Sequence, residues 1–333
     1  MVIIRPATNM FYLVAGRIIL IETYDEWTRR EVSEVFSGWF INLLPPHINT
    51  DANATIRIHS GVDLPNIPPD LKSFEITCGG RCFTNEKQYY LKFDDALIVF
   101  GTNSYVDFWI AKTCDRSSTT FVQLLSQALS PALRRSGVFE IHSAGVIPPE
   151  SKSAIMIAGT SGSGKSTLTT QLANLGWSYL SDDILLLTEV GERLELRGLR
   201  RFFALTSDTL AAVGLPGING EVNLKHRVIP EDHFRRAPFE QSKPGTIVFP
   251  TLTGQQTSHI SNLTASETMS RLLRLCPWAS YDKGTSLEHL RMLGRLANSA
   301  SGFELLAGTD ILNDSKLTAQ MFLNISDKAF SAY

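Results

Sequence analysis

Cysteine is scarce in this chain. Four occur among 333 residues, at Cys78, Cys82, Cys114 and Cys276. So few cannot staple so long a chain, which excludes a disulfide scaffold and leaves the fold to a hydrophobic core. Cys78 and Cys82 flank Gly79-Gly80 with no second close ligand pair after them, so two cysteines in a hairpin are expected ahead of a metal site. An excess of charge is missing too. Thirty-one Lys and Arg against 33 Asp and Glu leave a formal charge of −2 and no basic tail, which excludes a global attraction to nucleic acid or an anionic membrane. No apolar run reaches membrane length, and the first 25 residues carry Arg5, Arg17, Glu22 and Asp25 without a small-residue cleavage site. A soluble, cytoplasmic protein is expected.

What the chain does have is concentrated between residues 154 and 190. Ala154-Ile155-Met156-Ile157-Ala158 is a short apolar run, as in a strand covered on both faces. It feeds directly into Gly159-Thr160-Ser161-Gly162-Ser163-Gly164-Lys165-Ser166, which fits the P-loop (Walker A) pattern G-x-x-x-x-G-K-[ST] at every fixed position. The chemistry explains the residue types. Glycines let the backbone bend into a nest of N–H groups, and a helix starting near Lys165 aims its free N–H groups and dipole at the same point. Lys165 would bring a movable charge to terminal phosphates, and the short Ser166 hydroxyl would reach a magnesium ion. The helix is expected over 165–175, with Leu168, Leu172 and Leu175 inward and Gly176 as its stop.

A second strand, 177–181, then delivers Asp182-Asp183 just before the apolar run Ile184-Leu185-Leu186-Leu187. Adjacent acids between apolar stretches need compensation, which a cation or the caps of a turn would supply. Upstream, 137–142 reads as a strand, and a hairpin to Ala154 would put His142 beside the P-loop strand, where composition alone makes it a hydrogen-bonded structural histidine ahead of a catalytic group. Arg197, Arg200 and Arg201 are either a solvated cluster or a source of transition-state charge, with Arg197 the first choice and Arg201 the second.

Residues 159–183, GTSGSGKSTLTTQLANLGWSYLSDD, together with FEIHSAGV at 139–146, resemble the catalytic core of the HPr kinase/phosphorylase superfamily. Thr167 stands where the true HPr kinases usually have glutamate, and their long C-terminal glycine-rich signature is absent. The resemblance is therefore to the HPr-kinase-related P-loop kinases. It implies that Gly159, Thr160, Ser161, Gly162, Ser163, Gly164, Lys165, Ser166 and Thr167 bind ATP. It further implies that Ser166, Asp182 and Asp183 serve Mg2+, that Asp182 is the base, and that His142 lies near the transferring phosphate. The implied reaction is transfer of the γ-phosphoryl group of ATP to a hydroxyl, first a serine of a protein or peptide and otherwise a small molecule, by an enzyme that self-associates as a homo-oligomer. A P-loop ATPase or an inactive nucleotide-binding regulatory or assembly protein is the alternative. No nucleic-acid or membrane partner is expected.

The expected fold class is α/β: a P-loop kinase-like domain over 116–333 behind a smaller, mixed α/β or mostly β domain over 1–115. In the first, strands are expected near 16–22, 54–59, 74–77, 88–93, 96–100 and 106–110, with Glu26–Trp39 either a short helix or aromatic cover for a sheet edge. The non-alternating run 18–21 favours cover on both faces of its strand. His59 reads as a solvated strand residue. In the second, 118–135 reads as a helix that Pro131 kinks or restarts, and 212–223 as a glycine-bearing connection that closes over the site. Lys225, Arg227, Arg235 and Arg236 either meet an acidic substrate or solubilise a loop. Leu287, Leu290, Leu293 and Leu296 mark a packed helix face.

Overall fold

The computed structural model describes residues 7–45, 50–76, 79–114, 118–214, 225–236 and 238–330, with backbone alone at 118 and 327–330. Cys78 and most of the 212–223 connection lie outside the described residues. The chain divides into two compact units, each built on a sheet: residues 1–139 with 278–289, and 140–277 with 290–333. The architecture is mixed α/β. Among the described residues no helix is long and apolar enough to cross a membrane.

The first unit contains β1 (Thr8–Val14), β2 (Arg17–Thr23), α1 (Glu26–Ser37), β3 (Ile41–Leu43), β4 (Ala54–Val62), β5 (Lys72–Glu75), β6 (Arg81–Thr84), β7 (Tyr89–Lys92), β8 (Ala96–Phe100), β9 (Tyr105–Ala111) and α2 (Ser118–Arg135). Its described strands form one nine-stranded sheet in the order β3-β1-β2-β4-β9-β8-β7-β6-β5, parallel at β2–β4–β9 and antiparallel elsewhere. Asp25 starts α1 by accepting the Thr28 N–H at 2.9 Å, and Thr28, Val32, Val35 and Phe36 are the helix's buried face. β2 alternates buried and half-buried positions, so the run 18–21 is covered fully on one face only. His59 is not freely solvated: its ring stacks between Tyr24 and Trp109, each at 5.2 Å.

The expected break at 115/116 does not match the packing. α2 runs through Pro131 as one helix and packs on β4, β9 and β8, so it belongs to the first unit. Its Leu125, Ala128, Leu129, Ala132 and Leu133 are fully enclosed. An apolar helix stripe states that a face is buried but not on which sheet.

The second unit contains β10 (Phe139–Ile147), β11 (Ser153–Ala158), α3 (Lys165–Asn174), β12 (Ser178–Ser181), β13 (Ile184–Val190), β14 (Arg193–Gly198), β15 (Phe203–Leu205), α4 (Ser207–Ala212), β16 (His226–Val228), β17 (Gln241–Leu252), β18 (His259–Leu263) and α5 (Ala265–Leu275). After α6 (Trp278–Tyr281) in the first unit and α7 (Ser286–Ser299) come β19 (Ser301–Ala307), α8 (Thr309–Asn313) and α9 (Ser315–Phe330). β11 lies between β10, antiparallel to it, and β17, parallel to it; β19 continues parallel to β17. β12 pairs antiparallel with the other side of β10 and so runs in the direction of β11. Leu168 and Leu172 of α3 join Ile155, Ile157, Tyr179, Phe203 and Phe322 in one core, each side chain contributing about 1.5–3 kcal/mol by its burial. Buried Gln171 adds a polar tie by donating to the carbonyls of Ile311 and Leu312.

On α7 the expected leucine face is only half right. Leu293 and Leu296 are buried with Met292 and Ala297, whereas Leu290 is exposed and Leu287 is 84 % exposed.

Candidate active site

The strand directions bring the chemistry to one edge. β11 and β12 run the same way, so the glycine loop after Ala158 and the acids after Ser181 emerge together. β10 runs the opposite way between them. Ser143 pairs with Ala158 and Gly145 with Ser181, which brings the start of β10, and His142 with it, to that edge. The hairpin expected to set His142 beside the P-loop strand is present.

The loop itself is a bent backbone with groups left over. Gly162 and Gly164 take φ values of +81° and +95°, a left-handed conformation that glycine tolerates without penalty. At Gly164 a side chain would also crowd Leu252, whose Cδ2 lies 3.0 Å from the position a Cβ would take. A Cβ on Gly159 would meet Ser163 Oγ at 2.5 Å, and that buried hydroxyl has no hydrogen-bond partner. The Leu168 N–H bonds back to the Gly164 carbonyl at 3.0 Å and begins the α3 ladder. The N–H groups of 165–167 therefore have no intrahelical acceptor. Lys165 is buried and folds over the loop, its Nζ donating to the carbonyls of Gly159 at 2.7 Å and Thr160 at 2.8 Å. Burial pushes its pKa down to about 8; Lys225 acts in the same sense, and Asp183 and Asp182 oppose both. An ammonium resting on two neutral carbonyls has no counter-ion among its bonded partners, which suits it to an anion held in the nest.

The two acids differ in surroundings. Asp182 is fully buried. Its Oδ2 accepts the Ala204 N–H at 2.9 Å, its Oδ1 has no partner, and burial together with Asp183 raises its pKa to about 7. Asp183 is partly open. Its Oδ1 lies 3.3 Å from His142 Nδ1, and its Oδ2 accepts from Arg200 Nη1 at 3.2 Å. His142 keeps 39 % of its side chain exposed. Desolvation of the rest and the positive Lys165 hold it below the ordinary histidine value against the pull of Asp183, so it is mainly neutral at pH 7.

Other expected residues lie apart. Arg197 is on β14, two positions from Glu195 and so on the same face of the strand; it donates to Glu195 at 2.8 Å and stands 3.7 Å from Glu240. Arg200, ranked behind it from sequence, is the one beside Asp183. The Thr167 hydroxyl lies 3.1 Å from the Thr209 hydroxyl on α4, which leaves its backbone N–H as its contribution to the nest. Lys225, from the basic stretch 225–236, is near enough for its charge to act on Lys165, Asp182 and His142. Arg227 stacks on Phe202 with its guanidinium 4.4 Å from the ring centre.

Among the described residues no three His, Cys, Asp or Glu side chains form a metal-binding group. A magnesium ion brought in with phosphates needs fewer protein ligands. The hydroxyl of Ser166 and the acids at 182 and 183 fit that demand: all are hard oxygen donors, and Asp182 Oδ1 is a buried oxygen without a partner.

No protein-family model matches the chain, and no curated protein matches it. Among solved structures it is similar to the Hpr(Ser) kinase/phosphatase from Coxiella burnetii, with 12 % identity over 56 % of this chain and 94 % of that one and a TM-score of 0.31. A likeness that weak adds nothing to the geometry.

Proposed function

We propose that the second unit is a P-loop kinase-like domain that binds ATP and transfers its γ-phosphoryl group to a hydroxyl. The observation that carries this reading is the buried Lys165 ammonium resting on the loop's own carbonyls, with the Asp182-Asp183 pair emerging at the same sheet edge. The N–H groups of the loop and of the first turn of α3 hold the phosphates, and Lys165 leaves the carbonyls of Gly159 and Thr160 to meet them. Ser166 and the unpartnered Oδ1 of Asp182 would hold a magnesium ion brought in with the phosphates, which would supply charge neutralisation on their oxygens.

The base role expected of Asp182 moves to Asp183 in this reading. Asp182 is buried and already spends one oxygen on the Ala204 N–H, so of the two carboxylates the partly open Asp183 is the one left to meet an acceptor hydroxyl. Arg200, donating to Oδ2, orients Asp183, and His142 stands beside its Oδ1. Arg200 also places a positive charge where equatorial phosphoryl charge would accumulate. The first acceptor proposed is a serine of a protein or peptide, with a small hydroxyl compound next. ATP consumption by wild type and by Lys165→Ala, with and without magnesium, tests the reading. It expects turnover that requires both the ion and the lysine, and magnesium-dependent turnover unchanged in Lys165→Ala would refute it.

A further inference from the structure

The acids lie to one side of the glycine loop, at the end of β12 beyond β10, and β17 and β19 lie to the other. Both of those strands run parallel to β11, so Leu252 and Ala307 end at the same edge as the loop. Open α/β sheets bind ligands at the carboxyl ends of parallel strands. A nucleotide whose terminal phosphate faces the acids has to leave the loop on the opposite side, over β17 and β19.

At that place the chain carries an apolar side chain that the fold does not use. Leu252 is 44 % exposed although it touches the loop, lying 3.0 Å from the Cβ position of Gly164. The turn after it is locked down. The Thr253 N–H and hydroxyl both donate to the Ala307 carbonyl, at 3.0 and 3.1 Å, and the Thr309 N–H donates to the Gln255 carbonyl at 2.8 Å. Asp310 accepts the Ser258 N–H and hydroxyl, and Ser258 Oγ accepts the Gly308 N–H. Gly308 approaches so closely that a Cβ there would come within 2.8 Å of the Thr257 carbonyl carbon. An exposed leucine at the end of a strand whose following turn is pinned is a positioned apolar contact, and its ligand would need an apolar face.

We infer that Leu252 and the turn 253–257 form the shelf that takes the nucleoside of the bound nucleotide, with Leu252 against the face of the base. This rests on the nucleotide reading above and adds to it the residue that distinguishes a nucleoside triphosphate from bare polyphosphate. Leu252 holds substrate and takes no part in the transfer.

Calorimetric binding of ATP and of inorganic tripolyphosphate, each with magnesium, separates the two ideas. Truncation in Leu252→Ala should weaken ATP about 10-fold, the size of a lost apolar pocket contact, and leave tripolyphosphate unchanged. Leu252→Met should restore ATP binding, and Lys165→Ala should weaken both ligands. Equal loss of both in Leu252→Ala would overturn the shelf, because the leucine would then act only by packing on Gly164. Unchanged ATP binding in Leu252→Ala, or wild type that holds tripolyphosphate as tightly as ATP, would overturn it as well while leaving the phosphate loop standing. Wild type that binds neither would overturn the nucleotide reading and the shelf with it.

Discussion

Arg200 meets Asp183 at 3.2 Å, whereas Arg197, three residues earlier, is turned away onto Glu195. The two arginines therefore make opposite predictions. Arg200→Ala should lower turnover about 10- to 100-fold, the cost of a misplaced reacting group. Arg197→Ala should leave turnover within a factor of two or so, because its partners are Glu195 and Glu240 and neither acid of the site. Steady-state rates of both variants decide the point, and equal losses would contradict the assignment.

Asp182 gives a trade between stability and activity. A carboxylate enclosed with one oxygen unpaired and Asp183 adjacent is destabilising when ionised. Asp182→Asn should raise the melting temperature at pH 8 by a few degrees, corresponding to about 1–3 kcal/mol, while turnover falls by at least about 10-fold. A variant that is both less stable and fully active would count against a functional Asp182.

The loop glycines separate backbone conformation from space. At Gly162 a Cβ meets nothing within 4 Å, so Gly162→Ala should cost only the left-handed conformation, about 1–2 kcal/mol. At Gly164 the same conformation is joined by crowding of Leu252, which has to shift to make room, so Gly164→Ala should lose somewhat more stability and more ATP affinity. Denaturant unfolding and ATP titration of the pair test the order.

His289 supplies a pH dependence away from the site. It stacks on Phe139 at 4.4 Å with both ring nitrogens unpartnered, and burial lowers its pKa from 6.5 to about 4, with Arg134 assisting and Asp282 opposing. Between those values the unfolded chain binds the extra proton, so stability rises with pH across the window. The contribution is complete above about 6.5 and falls away as the pH drops towards 4, by up to about 3 kcal/mol. His289→Phe should flatten the stability profile between pH 4.5 and 6.5, and an unchanged slope would contradict the buried neutral ring.

Much of the candidate site could be read from sequence because its determinants are local. The buried run 153–158, the glycines with positive φ, the helix stopped at Gly176 and the acids after a short strand follow each other within about 30 residues. What escaped depends on register. Leu185 pairs with Gly198 at the end of β14, so the same register carried two residues further sets Arg200, not Arg197, opposite Asp183. The alternation of Glu195 and Arg197 was the available signal for their pairing. Leu287 and Leu290 misled for a related reason: helical spacing shows which residues share a face but not how far along the helix the packing extends. The parallel placement of β17 beside β11, which brings Leu252 to the loop, joins residues about 90 apart and has no local signature.

The central claim is transfer to a hydroxyl, and the fate of the γ-phosphate tests it most directly. Purified protein with magnesium and γ-labelled ATP, given pooled serine-containing peptides and hydroxyl metabolites, should place the label on an acceptor as a phosphoester. The transfer should be lost in Lys165→Ala and Asp183→Asn. Label recovered only as free phosphate, at a rate indifferent to acceptors, would contradict the kinase and leave an ATPase in its place.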